Sequence, residues 1–306
     1  MALPLLCPAP RGPTSCHERS KVKNGKGMAK EHLVHLADRA LLRISGKDAR
    51  AFLQGIVSND VGALQPACPL YAALLTPQGK FLHDFILYEQ DGGVILVDVA
   101  AEGRQDLVRR LTMYRLRAKV DIDEETRSCV LAMFPERRES MPEGFMAFAD
   151  PRDPGLGLRL VGSDAMLPPS LDDPALYDLH RLKLGIPDGA RDLVRERSTL
   201  AEADFERLNG VSFTKGCYVG QELTARMKHR GLAKRRLLPV IIDGESPACG
   251  TLLELDGKEV AEMRSSCDGY GMALVRIDGI KAIEDAGGVS WANGTIRLLH
   301  TVEPRG

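Results

Sequence analysis

The sequence predicts an α+β protein with a small all-β module at its C-terminal end, and three observations carry that prediction. Between Glu31 and Phe134, short apolar β-prone runs follow one another through tight turns, the pattern of antiparallel pairing rather than βαβ crossovers. Three stretches, opening near Ala49, Ala101 and Asp173, place apolar residues at helical spacing. From Leu237 the rhythm changes to short strands broken by glycine, as in a barrel or sandwich.

The elements follow in order. Residues 1–28 hold four prolines, two cysteines and little periodicity, and read as a disordered tail. A targeting peptide is the alternative there, and Met28 is a candidate start. His32 to Leu36 and Ala40 to Ser45 read as strands about a turn at Asp38-Arg39. Ser45-Gly46-Lys47-Asp48 opens a helix carrying Phe52, Leu53, Ile56 and Val57 on one face, and Asn59-Asp60 closes it. Leu70 to Leu75 and Phe81 to Tyr88 flank the turn Thr76-Pro77-Gln78-Gly79-Lys80. Val94 to Val99 is a buried strand. Ala101 to Arg115 is amphipathic, with Leu107, Val108, Leu111 and Tyr114 opposite Arg104, Asp106, Arg109 and Arg110.

Lys119 to Asp123, Cys129 to Phe134 and Leu156 to Val161 are further strands. The proline-broken stretch 135–154, with its Glu136-Arg137-Arg138-Glu139 charge run, reads as loop. Asp173-Pro174 caps a helix that Gly185-Ile186-Pro187 ends. Residues 188–214 are polar loop. The basic cluster Lys228-His229-Arg230 and Lys234-Arg235-Arg236 reads as a solvated linker or an anion-binding patch. The closing strands are Leu237 to Ile242, Gly250 to Leu255, Glu259 to Met263, Gly271 to Ile277 and Thr295 to His300.

The bulk composition narrows the function classes. The chain has 306 residues, 44% hydrophobic and 27% charged, with a net charge of -1. That balance provides no global field for nucleic acid or an acidic membrane surface. No run of apolar residues is long enough to span a bilayer. The seven cysteines are scattered, with no C-x-x-C pair, so neither a zinc ribbon nor a standard cluster-binding run is present. A reducing compartment, the cytoplasm, is expected, as is a monomer.

One stretch concentrates the chemistry: Lys215-Gly216-Cys217-Tyr218-Val219-Gly220-Gln221-Glu222. Its glycines permit close approach of a ligand or another chain. Good helix formers follow Gly220, so Cys217 stands just ahead of a helix N-terminus, with Lys215 two residues away. Both features favour a thiolate. The octapeptide resembles the signature of the YgfZ family of folate-binding proteins, which serve iron–sulfur cluster proteins and are related to the T-protein (aminomethyltransferase) of the glycine cleavage system. Phe52 to Val61, Tyr71 to Tyr88 and Leu182 to Pro187 are similar to further segments shared by both families.

That resemblance implies a T-protein-like cloverleaf of three domains around a folate pocket. Residues 29–68 with 170–232 would form the first α+β domain, 69–169 the second and 233–306 a β-barrel. It implies tetrahydrofolate as ligand, with Glu202 meeting the pterin edge bidentately. Tyr71, Phe81 and Tyr218 would be its walls, with Gln221 beside it and Arg226 for the anionic tail. Cys217, assisted by Lys215, would be the reactive group, serving iron–sulfur client proteins, tRNA-modifying ones among them. T-protein carries two aspartates where this chain has His83-Asp84, and His83 occupies the position of the first. An imidazole cannot supply that fixed negative charge, so aminomethyl transfer is the second reading. Direct binding of tRNA through the basic cluster is the third.

Overall fold

The structure, a computed structural model, describes residues 30–135 and 141–299. The expected tail, the Glu136-Arg137-Arg138-Glu139 run and His300 lie outside the described residues. The chain enters on β1 (His32–His35), turns, and continues as β2 (Arg39–Ser45) and α1 (Ala49–Gln54). A hairpin of β3 (Leu70–Leu75) and β4 (Phe81–Glu89) leads to β5 (Ile95–Ala100), α2 (Arg104–Arg115) and β6 (Asp121–Glu125). β2 to β6 make one five-stranded antiparallel sheet in the order β3-β4-β5-β2-β6. Both faces of β3, β4 and β5 are covered, which is why these strands are nearly continuous apolar runs, whereas the edge strand β6 is acidic and largely exposed. Phe81, Ile86 and Tyr88 enter the central core, while Leu82, Phe85 and Leu87 meet the helical layer with Leu107 and Leu111.

A second sheet, in the order β1-β7-β9-β8, adds β7 (Ser128–Phe134), β8 (Phe145–Ala149) and β9 (Leu158–Ser163). β8 falls inside the stretch read as loop. Its Phe145 and Phe148 are buried between exposed neighbours, and five residues are too few to outweigh the flanking prolines. The two sheets are interleaved along a different line from the one expected. His32 pairs with Phe134, whereas Leu42, in the next strand, pairs with Val97 and Glu124. The first sheet therefore unites residues 39–45 with 70–125, across the division expected at residue 68. Leu41, Leu42 and Ile44 are all fully buried in β2, an interior strand of that sheet.

α3 (Pro174–Lys183), capped by the Asp173 side chain, and the short α4 (Gly189–Asp192) run between the sheets and the barrel. α5 (Gln221–Arg230) then precedes six barrel strands: β10 (Arg235–Gly244), β11 (Leu252–Leu255), β12 (Lys258–Cys267), β13 (Tyr270–Arg276), β14 (Val289–Trp291) and β15 (Gly294–Leu298). Their order is β11-β12-β13-β10-β15-β14, and the two edge strands lie against each other, giving a nearly closed barrel. The short helix α6 (Ile280–Asp285) and β14 are additions to the expected set. The basic cluster is not a linker: Lys228, His229 and Arg230 form the last turn of α5, where cations suit the helix dipole, and Arg235 opens β10.

Two buried ionic networks bolt these parts together. In the first, Asp98 of β5 binds Arg39 of β2 at 2.7 Å and Arg159 of β9 at 2.5 Å. Arg159 continues to Asp150 at 3.0 Å, Asp150 to Arg152 at 2.7 Å, and Arg152 to the Tyr177 hydroxyl of α3 at 2.8 Å. Burial alone would raise the Asp98 pKa, yet the two guanidiniums hold it below the ordinary carboxylate value. In the second, Asp192 binds Arg181 of α3 at 3.0 Å and accepts from the Ser265 amide of β12 at 3.0 Å, tying the barrel to the helices.

Candidate functional site

The segment from Leu193 to Gly220 has neither strand nor long helix, so its backbone groups need partners from elsewhere. A corner after α1 supplies them. Ser58 Oγ donates to the Gly210 carbonyl at 2.6 Å and accepts from the Ala73 amide at 2.8 Å. Asn59 Nδ2 donates to the carbonyls of Tyr71 at 2.8 Å and Asn209 at 2.6 Å. Lys215 Nζ donates to the carbonyls of Val57 at 2.7 Å and Asn59 at 2.6 Å. Its ammonium also lies 5.1 Å from the centre of the Tyr218 ring. Burial lowers the Lys215 pKa to about 8.

Between these two fixed side chains the backbone turns outward. Gly216 has φ 91° and Gly220 φ 83°, a region that favours glycine. A side chain at Gly220 would also strike the Thr76 carbonyl, 2.6 Å from where its Cβ would stand, because α5 begins against the 76–80 turn. Gln221 folds back so that its Oε1 accepts from the Tyr218 amide at 3.1 Å. Cys217 is left exposed at the tip of a turn whose base is held on both sides. Lys215 does not act on the thiol as expected; its amine is engaged by two carbonyls and serves as the peg of the turn.

Among the described residues Cys129, Cys217, Cys249 and Cys267 are free thiols. Among the same residues no three His, Cys, Asp or Glu side chains gather into a metal site. Cys217 therefore offers a single soft ligand among the described residues.

The expected folate residues are distributed differently. Tyr71, Phe81 and Tyr218 do share the central core, but with Phe205 among them they are closed off from solvent. The Glu202 carboxylate accepts from the Thr199 amide at 2.6 Å, so Thr199-Leu200-Ala201-Glu202 forms a capping-box-like turn. Arg226 is exposed on α5. None of these residues, nor Gln221, lines the central cavity.

That cavity, of about 300 Å³, lies where the two sheets meet α3 and α4. Arg39, Asp84, Arg152, Tyr177, Asp188 and Arg191 are among its walls. The strand alternation of β4 decides which of His83 and Asp84 faces it. Asp84 does: one carboxylate oxygen accepts from Tyr71 Oη at 2.9 Å, and the other lies against Gly189, where a Cβ would come within 1.9 Å. Burial pushes the Asp84 pKa up, against the pull of Arg39. His83 points the other way, toward α2, with its Nε2 2.8 Å from Asp106 Oδ2. Burial holds it below the usual histidine range. Asp84 thus puts a carboxylate on the cavity, while His83 faces away from it. Sequence reasoning missed Asp84, Arg39, Arg152 and Asp188 as a set. The available signal was an aspartate inside an apolar strand, at Asp84 and again at Asp98, because a buried carboxylate demands a partner.

The comparisons bear on the same geometry. A family model of the C-terminal β-barrel domain of CAF17 matches residues 234–298. The chain is 35% identical to the mitochondrial iron–sulfur cluster assembly factor IBA57 of Mus musculus and 36% identical to that of Homo sapiens, in each case over 80% of this chain and 78% of the relative. The mitochondrial IBA57 homolog of Neurospora crassa is 34% identical over 71% of this chain and 55% of its own length. Among solved structures, the glycine cleavage system aminomethyltransferase T from Bartonella henselae superposes with a TM-score of 0.68, covering 89% of this chain and 85% of that one. At 14% identity that likeness concerns the fold, which is the expected T-protein-like one. The expected cytoplasmic location is overturned: the relatives are named mitochondrial, which points to mitochondria. Among the described residues no helix is long and apolar enough to cross a membrane.

The Lys215 peg has a pH signature. Its folded-state pKa of about 8 lies below the ordinary 10.5, so between those values the unfolded chain holds the proton and the folded chain releases it. Stability contributed through this group rises with pH across that window. Denaturant unfolding of wild type and Lys215→Met is expected to show that rise in wild type only; parallel curves would remove the buried-amine assignment.

Proposed function

This chain belongs to the IBA57 family of iron–sulfur cluster assembly factors, and on that premise we propose that it supports cluster assembly in client proteins through the exposed thiol of Cys217. The observation that carries this reading is the pinned turn. A thiol meant for packing is buried, whereas this one is exposed on a backbone fixed by Ser58, Asn59 and Lys215. A fixed, exposed single thiol suits transient sharing of iron or a cluster with a partner that supplies the other ligands. The likeness of the octapeptide to the YgfZ signature supports the same role.

We further propose that the central cavity takes the head group of tetrahydrofolate. The donor set fits. Asp84 has acceptor capacity beyond its bond to Tyr71, which suits the N–H edge of a pterin; Arg191, also in the wall, is already paired with Asp178 and Asp188. The volume is at the lower end for a small-molecule site, enough for the bicyclic ring with the remainder outside. Folate bound there would present its one-carbon position to residues of this chain. Asp84 is also the one observation favouring the second reading, one-carbon transfer. Release of methylenetetrahydrofolate from an aminomethylated carrier by wild type, lost in Asp84→Asn, would establish it.

In cells lacking the chain, Cys217→Ser is expected to restore no activity to cluster-dependent enzymes, at wild-type abundance, while Cys249→Ser restores it fully. Full rescue by Cys217→Ser would end the thiol reading. For folate, titration calorimetry is expected to give micromolar binding, about -8 kcal/mol. Asp84→Asn should weaken it by about tenfold, the worth of one charge-assisted hydrogen bond. Equal affinity in the variant would move the ligand out of this cavity.

A further inference from the structure

The C-terminal end of α2 is built in a way that folding does not explain. A helix commonly finishes on glycine or asparagine in the left-handed region. Here the residue after Arg115 is Leu116, with φ 45° and ψ -109°. A leucine in that region carries a steric cost that glycine avoids. Leu116 is also 88% exposed, and Met113, one turn earlier, is 64% exposed. They are the two most exposed large apolar side chains among the described residues. Leu116 is thus unfavourable on two counts, and no packing compensates either.

Cations surround this apolar tip. Lys47, Arg115, Arg117 and Lys119 line, with Leu116, a surface depression of about 360 Å³, and Asp121 is the one carboxylate residue in its lining. Asp48, close by, already accepts from the Lys119 amide at 2.8 Å. Arg115 donates to the Val120 carbonyl at 3.3 Å, a normal use of a cation at a helix C-terminus. The side chains of Lys47, Arg117 and Lys119 have no ion-pair partner among the described residues. The helix end accounts for one of these charges and leaves three.

We infer that this end of α2 docks on a bilayer surface rich in anionic phospholipid, with Leu116 and Met113 entering the interface and the cations meeting the phosphate headgroups. An apolar tip ringed by Lys and Arg is the combination that interfacial binding requires, because their stems lie along apolar surface while the charges stay in water. A soluble phosphate compound or a nucleic acid would use the cations but would leave Leu116 and Met113 without a role. The chain as a whole carries a net charge of -1, so the attraction is local, reversible and weakened by salt.

The test is co-sedimentation of the full chain with phosphatidylcholine vesicles, with and without phosphatidylglycerol. Wild type is expected to sediment only with the anionic vesicles, and less so as salt rises. Arg117→Glu with Lys119→Glu is expected to abolish binding. Leu116→Gly should lower the partition about tenfold, the worth of one inserted leucine side chain. Its thermal unfolding midpoint should stay unchanged or rise, since glycine accepts the backbone angles. A purely structural Leu116 would lower that midpoint and leave lipid binding alone. Equal binding to neutral vesicles, no vesicle binding, or retention on heparin that Leu116→Gly leaves intact without vesicle binding would each overturn the inference.

Discussion

The presentation of Cys217 depends on the hydrogen bonds between the corner at Val57–Asp60 and the segment 209–215. The earlier part of the stretch from Leu193 to Gly220 is anchored by Leu200, Phe205 and Leu208 in the core; these bonds anchor its later part, next to the thiol. Three side chains, Ser58, Asn59 and Lys215, convert that part into a fixed platform, and each spends its polar atoms on carbonyl groups of the partner segment. The corner is itself tied down, because Ser58 and Asn59 also bond to β3, the buried edge strand of the five-stranded sheet. Gly79 and Gly220 extend the same logic, allowing the β3–β4 turn and the start of α5 to touch. The exposed group is therefore positioned by the core of the molecule.

The second constraint is electrostatic. Five charged side chains, from Arg39 through Asp98, Arg159 and Asp150 to Arg152, form a continuous chain that the sheets and α3 share. Such groups contribute little net stability as a set, but removing one partner leaves a buried charge uncompensated, at about 3–5 kcal/mol. The relative placement of the two sheets is thereby restricted to arrangements that keep every pair. The central cavity opens beside this chain of charges. It inherits their polarity, so any occupant must be polar at the head, and Asp84 is the wall group with acceptor capacity to spare. The thiol on the surface and the cavity in the interior are separate stations, and the folate proposal does not require them to touch.

Much of the architecture was legible in local sequence. Alternation and turn residues found the β3–β4 hairpin, Asp173-Pro174 found α3, and the change of rhythm from Leu237 found the barrel. Cys217 was legible because glycines, helix formers and the octapeptide coincide there. What stayed hidden depends on residues far apart in sequence. Ser58 meets Gly210, and Arg159 meets Asp98, through sheet pairings that no local pattern encodes. Lys215 was read by its nearness in sequence to Cys217, while the turn sends its amine toward Val57. Glu202 was read as a free carboxylate, although Thr199 three residues before it signals a cap. Strand alternation puts His83 and Asp84 on opposite faces, but which face meets the cavity is set by β4's neighbours. β8 was lost because two prolines nearby outweighed its two phenylalanines.

The central claim is that Cys217 is this chain's ligand to iron or a cluster whose other ligands come from outside. Its most direct test is anaerobic reconstitution of purified protein with iron, sulfide and glutathione, the glutathione supplying the missing thiolates. Protein-bound visible absorbance after gel filtration is expected in wild type and in Cys249→Ser, and is expected to be absent in Cys217→Ser. The same absorbance in Cys217→Ser would contradict the account, because iron would then be held at a site that the pinned turn does not provide.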